Sequence, residues 1–272
     1  MKETKEMLYR ILILALIGIF ICVPAQGQLV EQYNPPQANS CLVLTARSLA
    51  DQMLDWNQLG RYYTENQKLK SSPPEPNRVV FMGDSITDFW KLSEYFSGKP
   101  YVNRGISGQT TSQMLVRLFS DVIDLKPAAM VLLAGINDIA QNTGPQTAEM
   151  VEQNIQAMTE LAQLHGIKVV LCSIMPVSDY PYLKQQKGLI DSKTKTIKWT
   201  ESHPAGDIIK LNVWIKDYAA KVNAIYVNYF DAFVDEKGLL KETLSDDGLH
   251  PNAEGYKIMN QIVEVAIRKT LK

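Results

Sequence analysis

The sequence predicts an α/β fold in which five parallel strands form a sheet covered by helices on both faces. Three observations lead there. From Arg78 onward, short β-branched runs alternate with amphipathic segments. The runs are continuously apolar, as strands buried on both faces must be. The intervening segments repeat at helical period, with Leu115, Leu118, Phe119 and Val122 on one face and Val151, Ile155, Met158 and Ala162 on another. Strand–helix alternation of this kind gives a parallel sheet whose functional groups gather beyond the carboxyl ends of its strands.

Taken in order, residues 1–27 read as a secretory signal peptide. Lys2, Lys5 and Arg10 precede an apolar run from Ile11 to Val23, and Ala25 and Gly27 place small residues at −3 and −1 of a cut after Gly27. The run is shorter than the ~20 apolar residues that a bilayer span requires, so no stable membrane span is expected in the mature protein. The expected location is secreted or periplasmic. Cys22 raises lipid anchoring as a lesser alternative, since Ile21 is large where lipoprotein processing favours a small residue.

Residues 28–77 form a polar leader followed by an N-terminal helical addition. The pattern is helical from Cys41 to Lys70 and stops at Ser71-Ser72-Pro73-Pro74, because proline cannot continue a helix. Residues 78–272 form the main domain, with strands expected at Val79–Met82, Tyr101–Asn103, Met130–Ala134, Lys168–Ile174 and Ile225–Tyr229 and a last helix at Ala253–Thr270. The segment from Val177 to Gly206 interrupts the alternation and reads as a long loop at the functional end of the sheet.

Composition narrows the function. The 272 residues are 46% hydrophobic and carry 28 Lys+Arg against 29 Asp+Glu, a formal charge of −1. Without residues 1–27 the balance is 25 against 27. Neither value suits a nucleic-acid surface, which draws its affinity from clustered cations. Three Cys and three His, with no Cys-x-x-Cys and no His-Glu-x-x-His, suggest neither a metal nor another cofactor. Cys172, within Val169-Val170-Leu171-Cys172, reads as a small buried hydrophobe.

The chemistry sits at the strand ends. Gly83-Asp84-Ser85 follows the first strand, where a serine at a strand-to-helix turn is exposed and its N–H can face an oxyanion. Alone, the triplet reads equally well as a helix N-cap. Asn103-Arg104-Gly105-Ile106-Ser107-Gly108-Gln109-Thr110 follows the second strand and Gly135-Ile136-Asn137-Asp138 the third. Taken singly, these read as a tight turn and an Asx-turn. Asp247-Gly248-Leu249-His250 precedes the last helix, and its three-residue spacing lets one turn carry a base and the carboxylate that orients it. His165 suits a helix C-cap, and His203 an exposed or substrate-facing position.

These four blocks, in this order, resemble the SGNH (GDSL-type) hydrolases, and in particular secreted bacterial esterases of the platelet-activating-factor acetylhydrolase-like subgroup. The resemblance spans about residues 78–265. It implies a three-layer, flavodoxin-like α/β/α sandwich and a cofactor-free serine esterase. Carried over position by position, it implies Ser85 as nucleophile, His250 as base, Asp247 as its partner, and an oxyanion hole from the N–H groups of Ser85 and Gly108 plus the side chain of Asn137. Gly105 is then a turn glycine. Ile86 replaces the leucine of the family name, a conservative change.

The expected substrate is a short acyl ester, acetyl above all, on a small molecule or carbohydrate. Asp84, Trp90, Tyr180, Tyr182 and Trp199 are candidate substrate contacts, although core packing is the favoured reading for Phe89 and Trp90. A lipid or lysophospholipid esterase is the alternative, and a non-catalytic carbohydrate-binding module a remoter one. The sequence leaves the oligomeric state open.

Overall fold

The computed structural model describes residues 53–73 and 75–272. The signal peptide, the polar leader and Cys41 lie outside the described residues, and the account below concerns the unit Asp55–Lys272.

Helix α1 (Tyr63–Ser71) stops two residues before Pro73. Then follow β1 (Val79–Gly83), the single turns α2 (Ser85–Asp88) and α3 (Leu92–Tyr95), β2 (Tyr101–Gly105), α4 (Thr111–Asp121), β3 (Ala129–Leu133) and α5 (Ile136–Ile139). The second half runs α6 (Ala148–Leu164), β4 (Lys168–Cys172), α7 (Tyr180–Gln186), α8 (Trp199–Ser202), α9 (Ala205–Lys221), β5 (Ile225–Val227), α10 (Phe230–Phe233) and α11 (Ala253–Leu271). All five expected strands form, with ends shifted by up to two residues. The Val177–Gly206 segment is not a bare loop, because it holds α7 and α8.

The sheet is parallel throughout, in the order β2-β1-β3-β4-β5. Period-two alternation divides its side chains between two layers. Val80 and Met82 face a core with Met114 and Leu118 of α4, Ile155 and Met158 of α6, and Leu211 and Ile215 of α9. Val79 and Phe81 face the opposite core, with Ile86, Trp90, Met259, Val263 and Ile267. Asn252 caps α11 by accepting from the N–H groups of Glu254 and Gly255, and Arg268 and Lys269 occupy its last turn, where cations suit the helix dipole.

The chain leaves β1 toward β2 on one side and returns to β3 on the other. A crevice therefore opens beyond the carboxyl ends of β1 and β3. Gly83, Gly105 and Leu133 lie side by side at its floor. Gly105 is not the turn glycine expected, since it is the last residue of β2 and its role is close approach. A Cβ there would lie 2.1 Å from the Asp88 nitrogen, so any larger residue would push α2 off the strand end.

Candidate active site

Ser85 opens α2 directly after β1. Asp84 caps that turn, its Oδ1 accepting from the Ile86 N–H at 3.0 Å. Asp84 is fully buried and its Oδ2 has no partner among the described residues. Burial raises its carboxyl to about 7, against the lowering effects of the Ile86 hydrogen bond and of His250. Asp84 thus helps place Ser85 and is too buried to be the substrate contact expected of it.

Burial of this carboxyl makes the stability of the fold depend on pH. Asp84 titrates near its ordinary value of 3.8 when unfolded and near 7 when folded. Its ionisation costs nothing below about pH 4, and the penalty grows until it is complete above about pH 7. Asp84→Asn keeps an acceptor for Ile86 and removes the ionisation, so its melting temperature relative to wild type should rise between about pH 4 and pH 8, by the equivalent of roughly 4 kcal/mol at most. Thermal melts at the two pH values test this, and an offset that does not change with pH would exclude it.

Asp247 and His250 share one turn, pinned by the Ser245–Pro251 bridge. Gly248 makes the turn possible with φ +89°, and a Cβ there would lie 2.1 Å from the Ser178 carbonyl oxygen. Asp247 Oδ1 accepts from the N–H groups of Leu249 and His250, both at 2.8 Å, and from Ser245 Oγ at 3.2 Å. Oδ2 lies 2.6 Å from His250 Nδ1. Burial alone would raise the Asp247 carboxyl, but the hydrogen bonds from the His250 ring and from the two backbone N–H groups outweigh it and hold it at about 2. An ionised carboxylate only accepts, so the ring proton belongs on Nδ1. Nε2 then offers its lone pair to Ser85 Oγ, 2.9 Å away.

Gly108, with φ +80°, lies in the turn after β2, whose Ser107 Oγ donates to Asp88 at the end of α2 at 2.7 Å. Neither the Gly108 N–H nor that of Ser85 donates to an acceptor among the described residues. Asn137, in the first turn of α5, gives one amide hydrogen to the Gln109 carbonyl at 3.0 Å, and the second has no acceptor among the described residues. Asn142, which the sequence reading passed over, donates to Asn137 Oδ1 at 2.9 Å and to the Gly108 carbonyl at 3.1 Å. It ties two expected donors together and turns the Asn137 amine away from itself. Asp138 accepts from Thr111 Oγ1 at 2.6 Å and from its N–H, joining α4 to α5 behind them.

The aromatic residues separate. Trp90 takes the core position that was its favoured reading and is not a substrate contact: it is 2% exposed, bonded through Nε1 to Asn260 Oδ1, and packed against Phe81 and Tyr256. Phe89, expected in the core with it, is instead 52% exposed, with its ring 5.2 Å from that of His250. Trp199 lies 6.5 Å from the same ring and donates to the Asp247 carbonyl. Tyr180 is committed to Asp235 at 2.6 Å, and the Tyr182 ring lies under the Lys198 ammonium. His203, expected to be exposed or substrate-facing, is 2% exposed and donates its Nδ1 proton to the Trp199 carbonyl, which seats α8. Among the described residues no cluster of His, Cys, Asp and Glu is placed to hold a metal ion.

The family model of the GDSL-like lipase/acylhydrolase family matches residues 81–258. A solved GDSL-like lipase from Bacteroides thetaiotaomicron is 37% identical, covering 79% of this chain and 99% of its own, with a TM-score of 0.68. A solved candidate acylhydrolase from Bacteroides fragilis is 35% identical over 80% of this chain and 99% of its own, with a TM-score of 0.70. The uncharacterized lipoprotein YqeF of Bacillus subtilis is 24% identical over 220 residues, 68% of this chain and 87% of that protein.

Proposed function

From the premise that the chain belongs to the GDSL-like lipase/acylhydrolase family and is an ester hydrolase, we propose that it is an exported serine esterase that removes short acyl groups, acetyl above all, from carbohydrate. The observation that carries this reading is the chain of contacts from Asp247 through His250 to Ser85, together with the N–H groups of Ser85 and Gly108, which have no acceptor among the described residues.

In this mechanism His250 Nε2 takes the Ser85 proton as Oγ attacks the ester carbonyl. Asp247 stabilises the imidazolium that forms. The carbonyl oxygen becomes an oxyanion that receives hydrogen bonds from Ser85 N–H, Gly108 N–H and Asn137 Nδ2. Collapse passes the proton from His250 to the departing alcohol and leaves an acyl-Ser85. Water activated by the same imidazole then releases the acid.

The side chains around the hole support a short acyl group. Asn137, Asn142 and Ser107 offer little apolar area, so added methylenes there would forgo the ~0.8 kcal/mol each gains on burial. Phe89 and Trp199 flank His250, the proton donor to the leaving alcohol, and their rings suit the face of a sugar. A lipid ester would draw instead on an apolar cavity of ≈ 340 Å³ lined by Val177, Leu183, Ile208, Phe230 and Leu239, whose walls include none of Ser85, Gly108, Asn137 and His250.

Rates on p-nitrophenyl acetate, butyrate and octanoate, beside acetyl release from acetylated xylan, separate the two. The short-acyl reading expects the rate to fall from acetate onward and acetyl to be released from the polymer. A rate that climbs past butyrate would replace it with the lipid reading.

Export rests on the basic-apolar-small pattern of residues 1–27. The lipoprotein name of the B. subtilis relative brings Cys22 forward as an anchoring point. No helix among the described residues is long and apolar enough to cross a membrane.

A further inference from the structure

We infer that Gln109 is a positioning residue through which the N-terminal segment and the buried Arg117 hold the oxyanion hole in shape. The proposal rests on the assignment of Ser85, Gly108 and Asn137 above, and goes beyond it by giving the N-terminal addition a part in catalysis.

Gln109 follows Gly108 directly and is 1% exposed. Its backbone and both ends of its side-chain amide are engaged. The carbonyl accepts from Asn137 Nδ2 at 3.0 Å, Oε1 accepts from Arg117 Nε at 2.6 Å, and Nε2 donates to the Asn57 carbonyl at 2.9 Å. The Gly108 and Asn137 donors therefore both hang on this residue, one through the chain and one through a hydrogen bond.

The two anchors of the amide are firm for different reasons. Arg117 has no exposed surface, and its guanidinium also donates to the carbonyls of Gly83 and Arg104, at 3.0 and 2.8 Å, and to Asp121 Oδ2 at 2.9 Å. It thus joins the carboxyl ends of β1 and β2 to the turn that carries Gly108. Moving it would strand a buried charge and take a donor from four acceptors, Gln109 Oε1 among them. Asn57 belongs to the N-terminal segment, which is tied to the same region at three further points. The Trp56 carbonyl accepts from Gln113 Nε2, Tyr62 donates to the Gly105 carbonyl, and Asn66 bonds to both Asp121 and Arg104.

A left-handed residue such as Gly108 has no side chain with which to fix itself, so its N–H direction depends on its neighbours. With the amide of Gln109 clamped from both ends, the peptide that carries the hole is held before substrate arrives. Preorganisation of this kind acts on the transition state, because the donors must meet an oxygen whose charge develops only during attack. A displacement of about 1 Å costs up to roughly a hundredfold in rate.

The test uses the full chain with p-nitrophenyl acetate and compares Gln109→Met, which fills the same space without either polar contact, with Gln109→Glu, which keeps an acceptor for Arg117 and loses the donor to Asn57. Gln109→Met is expected to lower kcat by roughly tenfold to a hundredfold with KM within about twofold, to slow fluorophosphonate labelling by a similar factor, and to leave the pH profile of kcat/KM in place, since Gln109 touches neither His250 nor Asp247. Gln109→Glu should fall between it and wild type. A folded Gln109→Met enzyme whose kcat is within about twofold of wild type overturns the proposal, as does a loss accompanied by a shifted pH profile. If Gln109→Met does not fold, Gln109→Glu decides by the same criteria. Ser85→Ala is run beside them: turnover retained there sinks the parent assignment, whereas an inactive Ser85→Ala with fully active Gln109 variants sinks this inference alone.

Discussion

Ser85→Ala is expected to lower kcat on p-nitrophenyl acetate by a factor approaching ~10⁶ and to abolish fluorophosphonate labelling. The size follows from what is removed. Without Oγ the proposed nucleophile of the acyl-enzyme is gone, and His250 Nε2 loses the hydroxyl 2.9 Å away from which it would take a proton. The hole and the binding surface stay, and such remnants retain ~10³–10⁴ over the uncatalysed reaction. The substitution should scarcely affect the fold. Ser85 sits at the first position of α2, its side chain is not the cap, and alanine is readily accommodated in a helical turn. An unchanged melting temperature with lost turnover would therefore be a chemical result. Turnover within tenfold of wild type would mean that the reacting nucleophile lies elsewhere.

The fold was legible because strands buried on both faces must be apolar without interruption, and Val79–Gly83, Ala129–Leu133 and Lys168–Cys172 satisfy this over nearly their whole length. With the strands placed, the carboxyl ends of β1 and β3 mark the crevice, and Ser85 and Asn137 follow each strand within a few residues. The Asp247–His250 pair was legible for a related reason: a three-residue turn is local, and its hydrogen bonds close within it.

Residues whose role depends on tertiary contact were not legible. Gln109 reads as a polar loop residue until Asn57, Arg117 and Asn137 are brought to it from 52, 8 and 28 positions away. Asn142 likewise carries no signal of its own. Phe89 and Trp90 differ by one position at the end of a single turn, and no helical period long enough to separate their faces exists there. His203 precedes a proline in a polar stretch, which suggests exposure, yet α8 folds its ring back onto the Trp199 carbonyl. Short helices such as α7 and α8 escape periodicity for the same reason as α2.

Asp247→Asn should lower kcat by roughly 10⁴ while leaving Ser85 and His250 in place, because it changes where the imidazole proton resides. The carboxylate offers only lone pairs to Nδ1, so the ring holds its proton there and presents a lone pair to Ser85. An asparagine can keep its Oδ1 on the Leu249 and His250 N–H groups, and its amine then faces Nδ1 as a donor. That contact favours the other tautomer, with the proton on Nε2, which can no longer accept from Ser85. The same substitution also acts on acid stability, in a direction fixed by the sign of the shift. Asp247 lies near 2 when folded against 3.8 when unfolded, so its carboxylate stabilises the protein above about pH 4, and this contribution fades as pH falls toward 2. Because the side chain is about half exposed, solvent screens the effect to a small part of the total stability. Melts at neutral pH and near pH 2.5 should therefore show wild type losing its advantage over Asp247→Asn on acidification. Together with a kcat loss at an unchanged KM, this would place the ionised Asp247 carboxylate behind His250. An Asp247→Asn enzyme with wild-type kcat would remove Asp247 from the mechanism, and a stability difference that does not narrow in acid would contradict its depressed ionisation.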